Sequence, residues 1–141
     1  NSALDIYVED TFTANIFLNE FYAPGHLFYL LWDGKRLIGF MQLKDHSLPA
    51  CIEAEDGLEI KRFYIHKDYH GKGIAHRLME FCITYGSKGN FPLIWLGVWP
   101  ENHRAIAFYG KFGFAKCGEH PFQLGPVVEY DWVMQKKLSL N

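Results

Sequence analysis

The chain has 141 residues, of which 49% are hydrophobic and 21% charged, enough for one domain with a real core and unlike a disordered chain. Fourteen Lys and Arg against sixteen Asp and Glu leave a formal net charge of −2, so no general attraction for nucleic acid or an anionic membrane is expected. An anionic ligand has to be held by a local site. The three cysteines, Cys51, Cys82 and Cys117, are far apart and form no CxxC pair or disulfide framework, which predicts a reducing compartment, the cytoplasm.

No apolar run is long enough to span a bilayer, and no basic-then-apolar leader opens the chain. It starts without Met, as a processed or trimmed product would. Between residues 1 and 24, Leu4, Val8, Phe12 and Ile16 stand at helical spacing, and Pro24-Gly25 forces a break. LFYLLW (27–32), DGKR (33–36) and LIGFMQLK (37–44) read as strand, tight turn and strand. The polar segment 45–57, with Pro49 and Gly57, reads as a loop. LEIKRFYI (58–65) alternates as a third strand, and Ile74, Leu78, Phe81, Cys82 and Tyr85 predict a helix from Gly73 to Gly86. Cys82 falls on the apolar stripe of that helix, as a buried free thiol would.

PLIWLGVW (92–99) is a continuous apolar run of strand length, as a strand covered on both faces requires. Ala105, Phe108, Tyr109 and Phe112 predict a second helix over 102–112 that stops at Gly113. Residues 114–124 and 127–138 close the chain as two more strands. With no repeat, linker or low-complexity tract, residues 1–141 are expected to form a single mixed α/β domain.

A strand that feeds YHGKGIAHRL (69–78) and then a helix makes an anion site. The leading amides of a helix lack intrahelical acceptors, and its dipole is positive there. Gly71 and Gly73 either turn the chain or let a phosphate approach the backbone. GxGxxG is excluded because His76 stands at the third small position, and a Walker loop is excluded because Ile74 follows Gly73. No His, Cys and Asp set has metal-ligand spacing, so no metal is expected.

His70-Gly71-Lys72-Gly73-Ile74-Ala75 resembles [QR]xxGx[GA], the coenzyme A loop of the GNAT superfamily of N-acetyltransferases, with His70 in place of Gln or Arg. EIKRFYIHKDYHGKGIAHRLM (59–79) resembles the strand, loop and helix of that family. WLGVWPENHRAIAFYGKFGF (95–114) resembles its next strand and helix, with the NxxAxxFYxKxGF signature. The similarity runs over 27–138. WLGVW, GEHPFQLG and the ending VMQKKL are most similar to PaiA-like spermidine/spermine acetyltransferases. The resemblance implies a GNAT fold, a mixed central sheet flanked by helices. The segment before the hairpin is short for the strand and two helices with which such proteins usually begin, so an abbreviated N-terminal part is expected.

The resemblance also implies roles. Acetyl-CoA would place its pyrophosphate on the amides of Gly71, Lys72, Gly73, Ile74, Ala75 and His76, with the Lys72 side chain either screening charge or solvated. Its pantetheine arm would pair with Phe63, Tyr64 and Ile65 as an added half-strand, an amide of which would donate to the tetrahedral oxyanion. Asn102 and Tyr109 share a helix face, being seven residues apart. Asn102 either caps its helix or bonds the cofactor. Tyr109 is either a core aromatic or, as the resemblance implies, the acid that protonates the departing thiolate. Glu59 stands eleven residues before His70, where relatives carry a base glutamate, and is otherwise a surface partner for Lys61. An amine nucleophile must lose a proton, and Glu59 is expected to take it through water.

His120 and His66 are alternative proton relays. Glu53, Glu55, Asp56, Glu119, Glu129 and Asp131, with Tyr130 and Trp132, either favour a polycationic acceptor or form a solvated surface. The cysteines have no evident activating partner, which disfavours an acyl-enzyme. The expected activity is therefore direct transfer of acetyl from acetyl-CoA to a primary amine, a small polyamine such as spermidine or spermine. Acetylation of a protein or peptide amine and a non-catalytic acyl-CoA sensor are the alternatives. A homodimer is compatible with this reading.

Overall fold

The computed structural model describes residues 6–10 and 24–138. Its strands are β1 (Ile6–Asp10), β2 (His26–Asp33), β3 (Arg36–Lys44), β4 (Leu58–Ile65), β5 (Leu93–Val98), β6 (Ala115–Leu124) and β7 (Val127–Lys137). The helices are α1 (Ile74–Lys88), between β4 and β5, and α2 (His103–Lys111), between β5 and β6. The α/β class read from the sequence is met. The chain divides into two compact units, Asn1–Asp45 with Ile60–Cys82, and His46–Glu59 with Ile83–Asn141.

In the first unit the strands lie in the order β1-β2-β3-β4. Asp33 and Arg36 close the β2–β3 hairpin around Gly34, whose φ of 59° is the left-handed conformation an Asp-Gly turn demands. β1 corrects the sequence reading at its first element. Val8 was grouped with Leu4, Phe12 and Ile16 as a helical stripe, but it pairs with Leu31 in an antiparallel ladder running from Ile6↔Asp33 to Asp10↔Tyr29. A neighbouring strand that supplies hydrogen bonds overrides a weak apolar spacing. Leu4, Phe12 and Ile16 lie outside the described residues. Gly39 on β3 admits β4: a Cβ there would collide with the Tyr64 carbonyl oxygen. The Ile38 carbonyl then accepts the His66 amide at 2.6 Å, just past the end of β4.

Helix α1 buries Ile74, Leu78 and Cys82 of the predicted stripe and leaves Phe81 and Tyr85 half-buried, while Met79, outside that stripe, is fully buried. The Cys82 thiol donates to Met41 Sδ at 2.8 Å, and burial pushes its pKa far up, so it is packing material and no nucleophile. The helix passes through Gly86, where an end was expected, and runs to Lys88. A Cβ on Gly86 would lie 2.9 Å from Leu138 Cδ1, 3.3 Å from Leu58 Cδ2 and 3.4 Å from Ile94 Cδ1. This glycine serves close packing, and the chain leaves the helix at Asn90, with φ 61°.

The second unit orders its strands β5-β7-β6, all antiparallel. Leu93, Ile94, Trp95 and Leu96 of β5 are buried, as its unbroken apolar run requires. Leu93, Trp95 and Val133 form a core cluster with Ile52, and Leu48 and Cys117 pack against it. Residues 45–57 are the expected loop, yet Ile52 and Leu48 anchor it.

Candidate active site

In the first unit, Phe63 is half-buried, Tyr64 exposed and Ile65 buried, so Tyr64 and Ile65 alternate across β4. A short 3-10 turn, Lys67–Tyr69, leads to the glycine loop. His70, the departure from the family motif, holds this connection: its Nε2 lies 2.8 Å from the Ile65 carbonyl oxygen. The imidazole thereby ties the loop to the end of β4. Gly71 and Gly73 both have φ 78°, a conformation that L side chains rarely adopt. Nothing lies within 4 Å of where a Cβ would sit on either. Backbone conformation, not crowding, demands glycine here, and the space above the loop is open. Lys72 is exposed, and Arg77 N–H donates to the Gly73 carbonyl at 3.1 Å, so α1 starts directly from the loop. Its first turn carries no acid to compete with an anion. Ile74 is buried and Ala75 half-buried, while the exposed His76 side chain sits 3.3 Å from Glu80.

In the second unit, Ser47 organises Glu59. Its Oγ donates to Glu59 Oε1 at 2.7 Å, its carbonyl accepts Trp95 Nε1–H at 2.8 Å, and its amide donates to the Gly57 carbonyl at 2.9 Å. Glu59 is therefore half-buried and oriented by a hydroxyl. Sequence reasoning passed over Ser47, since a loop serine far from Glu59 in sequence carries no signal. Asn102 caps α2, its Oδ1 accepting the Ala105 amide at 3.2 Å. Tyr109 is half-buried, with ring centroids 5.6 Å from Phe108 and 5.9 Å from Phe114.

A second gathering lies on β5, β6 and β7 of the same unit. His120 pairs in register with Asp131, and a Cβ at Gly97 would lie 2.8 Å from His120 Nε2 and 3.7 Å from Asp131 Oδ2. Trp95 packs edge-on against the His120 ring, with centroids 6.2 Å apart. Gly97 was unmarked in the sequence reading, although a glycine inside an apolar strand is itself a sign of close approach. Glu119 pairs with Lys116 at 3.1 Å, and Lys116 Nζ stands 4.5 Å from the Trp132 ring centroid. That accounts for one of the acids as surface charge. The Cys117 thiol is raised by burial and by neighbouring Cys51, the opposite of activation. Among the described residues no group of three or more His, Cys, Asp or Glu side chains can hold a metal ion, and no helix is long and apolar enough to cross a membrane.

Comparison with known proteins adds the family. The acetyltransferase (GNAT) family model matches residues 3–114. An uncharacterised N-acetyltransferase of Lactobacillus delbrueckii subsp. lactis is 30% identical over 132 residues, covering 94% of this chain and 76% of that protein. A probable spermine N(1)-acetyltransferase of Bacillus subtilis subsp. natto is 33% identical over 64 residues, 45% of this chain and 42% of that one. Among solved structures, the ribosomal-protein-S18-alanine N-acetyltransferase of Escherichia coli superposes with a TM-score of 0.74 at 15% identity, covering 96% of each chain. The PaiA N-acetyltransferase of Thermoplasma acidophilum, in complex with coenzyme A, gives 0.61 at 25% identity, covering 87% of this chain and 67% of that one. The chain belongs to the GNAT family of acetyltransferases, enzymes that take their acetyl group from acetyl-CoA.

Proposed function

We propose that the protein transfers acetyl from acetyl-CoA to a primary amine of a small polyamine, by direct attack. The observation that carries the reading is the glycine loop. Two left-handed glycines with open space above them feed straight into a helix whose first turn bears no acid. In this reading the amides of residues 71–76 take the pyrophosphate, and Phe63, Tyr64 and Ile65 take the pantetheine amides. Asn102 spends Oδ1 on its cap, so its side-chain nitrogen is the atom with which it would meet the cofactor.

The chemistry then balances. The ammonium gives up a proton, its nitrogen forms a bond to the thioester carbon, and an amide of β4 donates to the oxyanion. The C–S bond breaks, Tyr109 gives its proton to the thiolate, and the acylated nitrogen sheds its second proton to the resulting phenolate. The products are the acetamide and the free thiol, with one proton released to water. Glu59, oriented by Ser47, supplies negative charge and a water-mediated route for that proton. Polyamine as the acceptor class is supported by Glu59, Glu129 and Asp131 in the second unit, and by the partial match to a protein named a spermine acetyltransferase.

The test is release of free thiol from acetyl-CoA with a panel of spermidine, spermine, monoamines and peptides. Turnover with spermidine or spermine and not with peptides is expected. Turnover confined to peptides overturns the acceptor, and acetyl-CoA binding without turnover on any amine overturns catalysis.

A further inference from the structure

His120 Nε2 is buried and makes no hydrogen bond to any described group. Leaving a buried polar atom unpaired forfeits its hydrogen bond to water, so its persistence calls for a reason. The neighbours do not supply a partner. Trp95 offers its ring edge to the imidazole and directs its indole N–H to the Ser47 carbonyl. Gly97 has no side chain, and Nε2 stands 2.8 Å from where its Cβ would be. Asp131, opposite His120 in the β6–β7 ladder, turns Oδ2 toward the same point. Gly97 itself is exposed, so the backbone beside these two side chains faces solvent. An imidazole nitrogen and a carboxylate oxygen thus converge over bare backbone, and all four residues belong to one compact unit.

We propose that Gly97 is the floor of the seat for the acceptor's primary ammonium, where Asp131 holds the charge and His120 removes the proton. The role rests on the amine-acetylation reading above. With the ring proton on Nδ1, Nε2 presents a lone pair. The ring, held by no hydrogen bond at Nε2, turns out over the exposed glycine to meet the ammonium. One N–H bond of the ammonium breaks, its proton passes to Nε2, and the nitrogen lone pair is freed for attack on the thioester carbon. The imidazolium returns the proton to water, which reaches the half-buried ring.

Other charges around the ring fit this division of labour. On β7 the group facing it is Asp131. On β5 the packed residues, Trp95 and Gly97, do not titrate. Beyond Trp95, Ser47 leads to Glu59. On β6, Glu119 lies on the opposite face of the strand, paired with Lys116. Glu59, with one oxygen on the Ser47 hydroxyl, is thereby a source of field and part of the water route by which the proton leaves, and His120 is the proton's first acceptor.

The experiment pairs kinetics with an observation that needs no turnover. H120Q should lower kcat/KM for spermidine roughly 100-fold, as loss of a general base does, and abolish the fall in kcat/KM toward acid pH. Acetyl-CoA affinity by calorimetry should be unchanged. D131N should act mainly on KM. In the wild-type protein labelled with 15N-histidine, spermidine added without acetyl-CoA should shift the Nε2 resonance of His120. A resonance that ignores spermidine, or an H120Q protein that keeps its rate and its acid limb, overturns the seat. If the wild-type protein acetylates no amine, the acetyl-transfer reading falls with the catalytic role, while the imidazole titration still decides whether an ammonium binds there.

Discussion

In the proposed reaction, Tyr109 and Gly73 carry the donor half of the chemistry for different reasons. A phenol matters to acetyl transfer only as charge develops on sulfur, because the ground-state thioester needs no proton there. Tyr109→Phe keeps the ring packing against Phe108 and Phe114 and removes only the hydroxyl. It should reduce kcat about 100-fold, a usual size for a lost general acid, with acetyl-CoA affinity by calorimetry unchanged. Gly73 acts through its backbone. Placing Val at φ 78° costs about 1–2 kcal/mol of backbone strain, and its side chain enters open space that the protein leaves unused. Gly73→Val should therefore weaken acetyl-CoA binding at least tenfold by calorimetry. Gly125→Val is the control. It also stands at positive φ, 62°, with nothing within 4 Å, but in the β6–β7 turn, so it should show the strain without the loss of affinity.

At the scale of elements, the two glycines buried within regular structure do opposite work from those of the loop. Gly39 and Gly86 are where one element approaches another too closely for a side chain. At Gly39 the obstacle is the Tyr64 backbone carbonyl, which cannot move without pulling β4 from β3. Gly39→Ala should cost about 3 kcal/mol, the upper range for overpacking, read as a lowered midpoint in urea unfolding. Element boundaries follow the same physics. Strands β2 to β7 were legible because hydrophobic alternation, an Asp-Gly turn and an unbroken apolar run are local signals. The continuation of α1 through Gly86 was not, because the packing that compensates for a helical glycine comes from Leu58, Ile94 and Leu138, remote in sequence. β1 was misread for a related reason: its ladder with β2 is a tertiary fact.

For the whole molecule, a ligand that binds only the folded chain raises its stability by mass action. Acetyl-CoA at about 100 times its Kd adds about 2.7 kcal/mol, which should raise Tm by roughly 5–10 °C for a chain of this size. A thermal melt with and without acetyl-CoA checks it. No shift at millimolar acetyl-CoA would contradict specific binding, and Gly73→Val should shift less than the wild type at equal ligand. The modest net charge of −2 provides no competing nonspecific attraction for the anionic cofactor, so any shift reports the local site.

The amino-acid sequence by itself determined the donor. The glycine loop after a strand and the NxxAxxFYxKxGF segment are contiguous, and backbone conformation, capping and helical spacing act over a few residues. Gly71 and Gly73 were legible as a turn or a cradle, and Asn102 as a cap, before any fold was known. Only the tertiary structure decided what surrounds Glu59 and His120. Ser47 reaches Glu59 from twelve residues away, and Gly97, His120 and Asp131 meet because three antiparallel strands lie side by side. Sequence alone had left His120 one of seven histidines and Gly97 an interruption in an apolar run. Side-chain chemistry of this kind depends on strand register, which no local pattern encodes, and register brings an imidazole and a carboxylate over the one residue of that strand with no side chain to separate them.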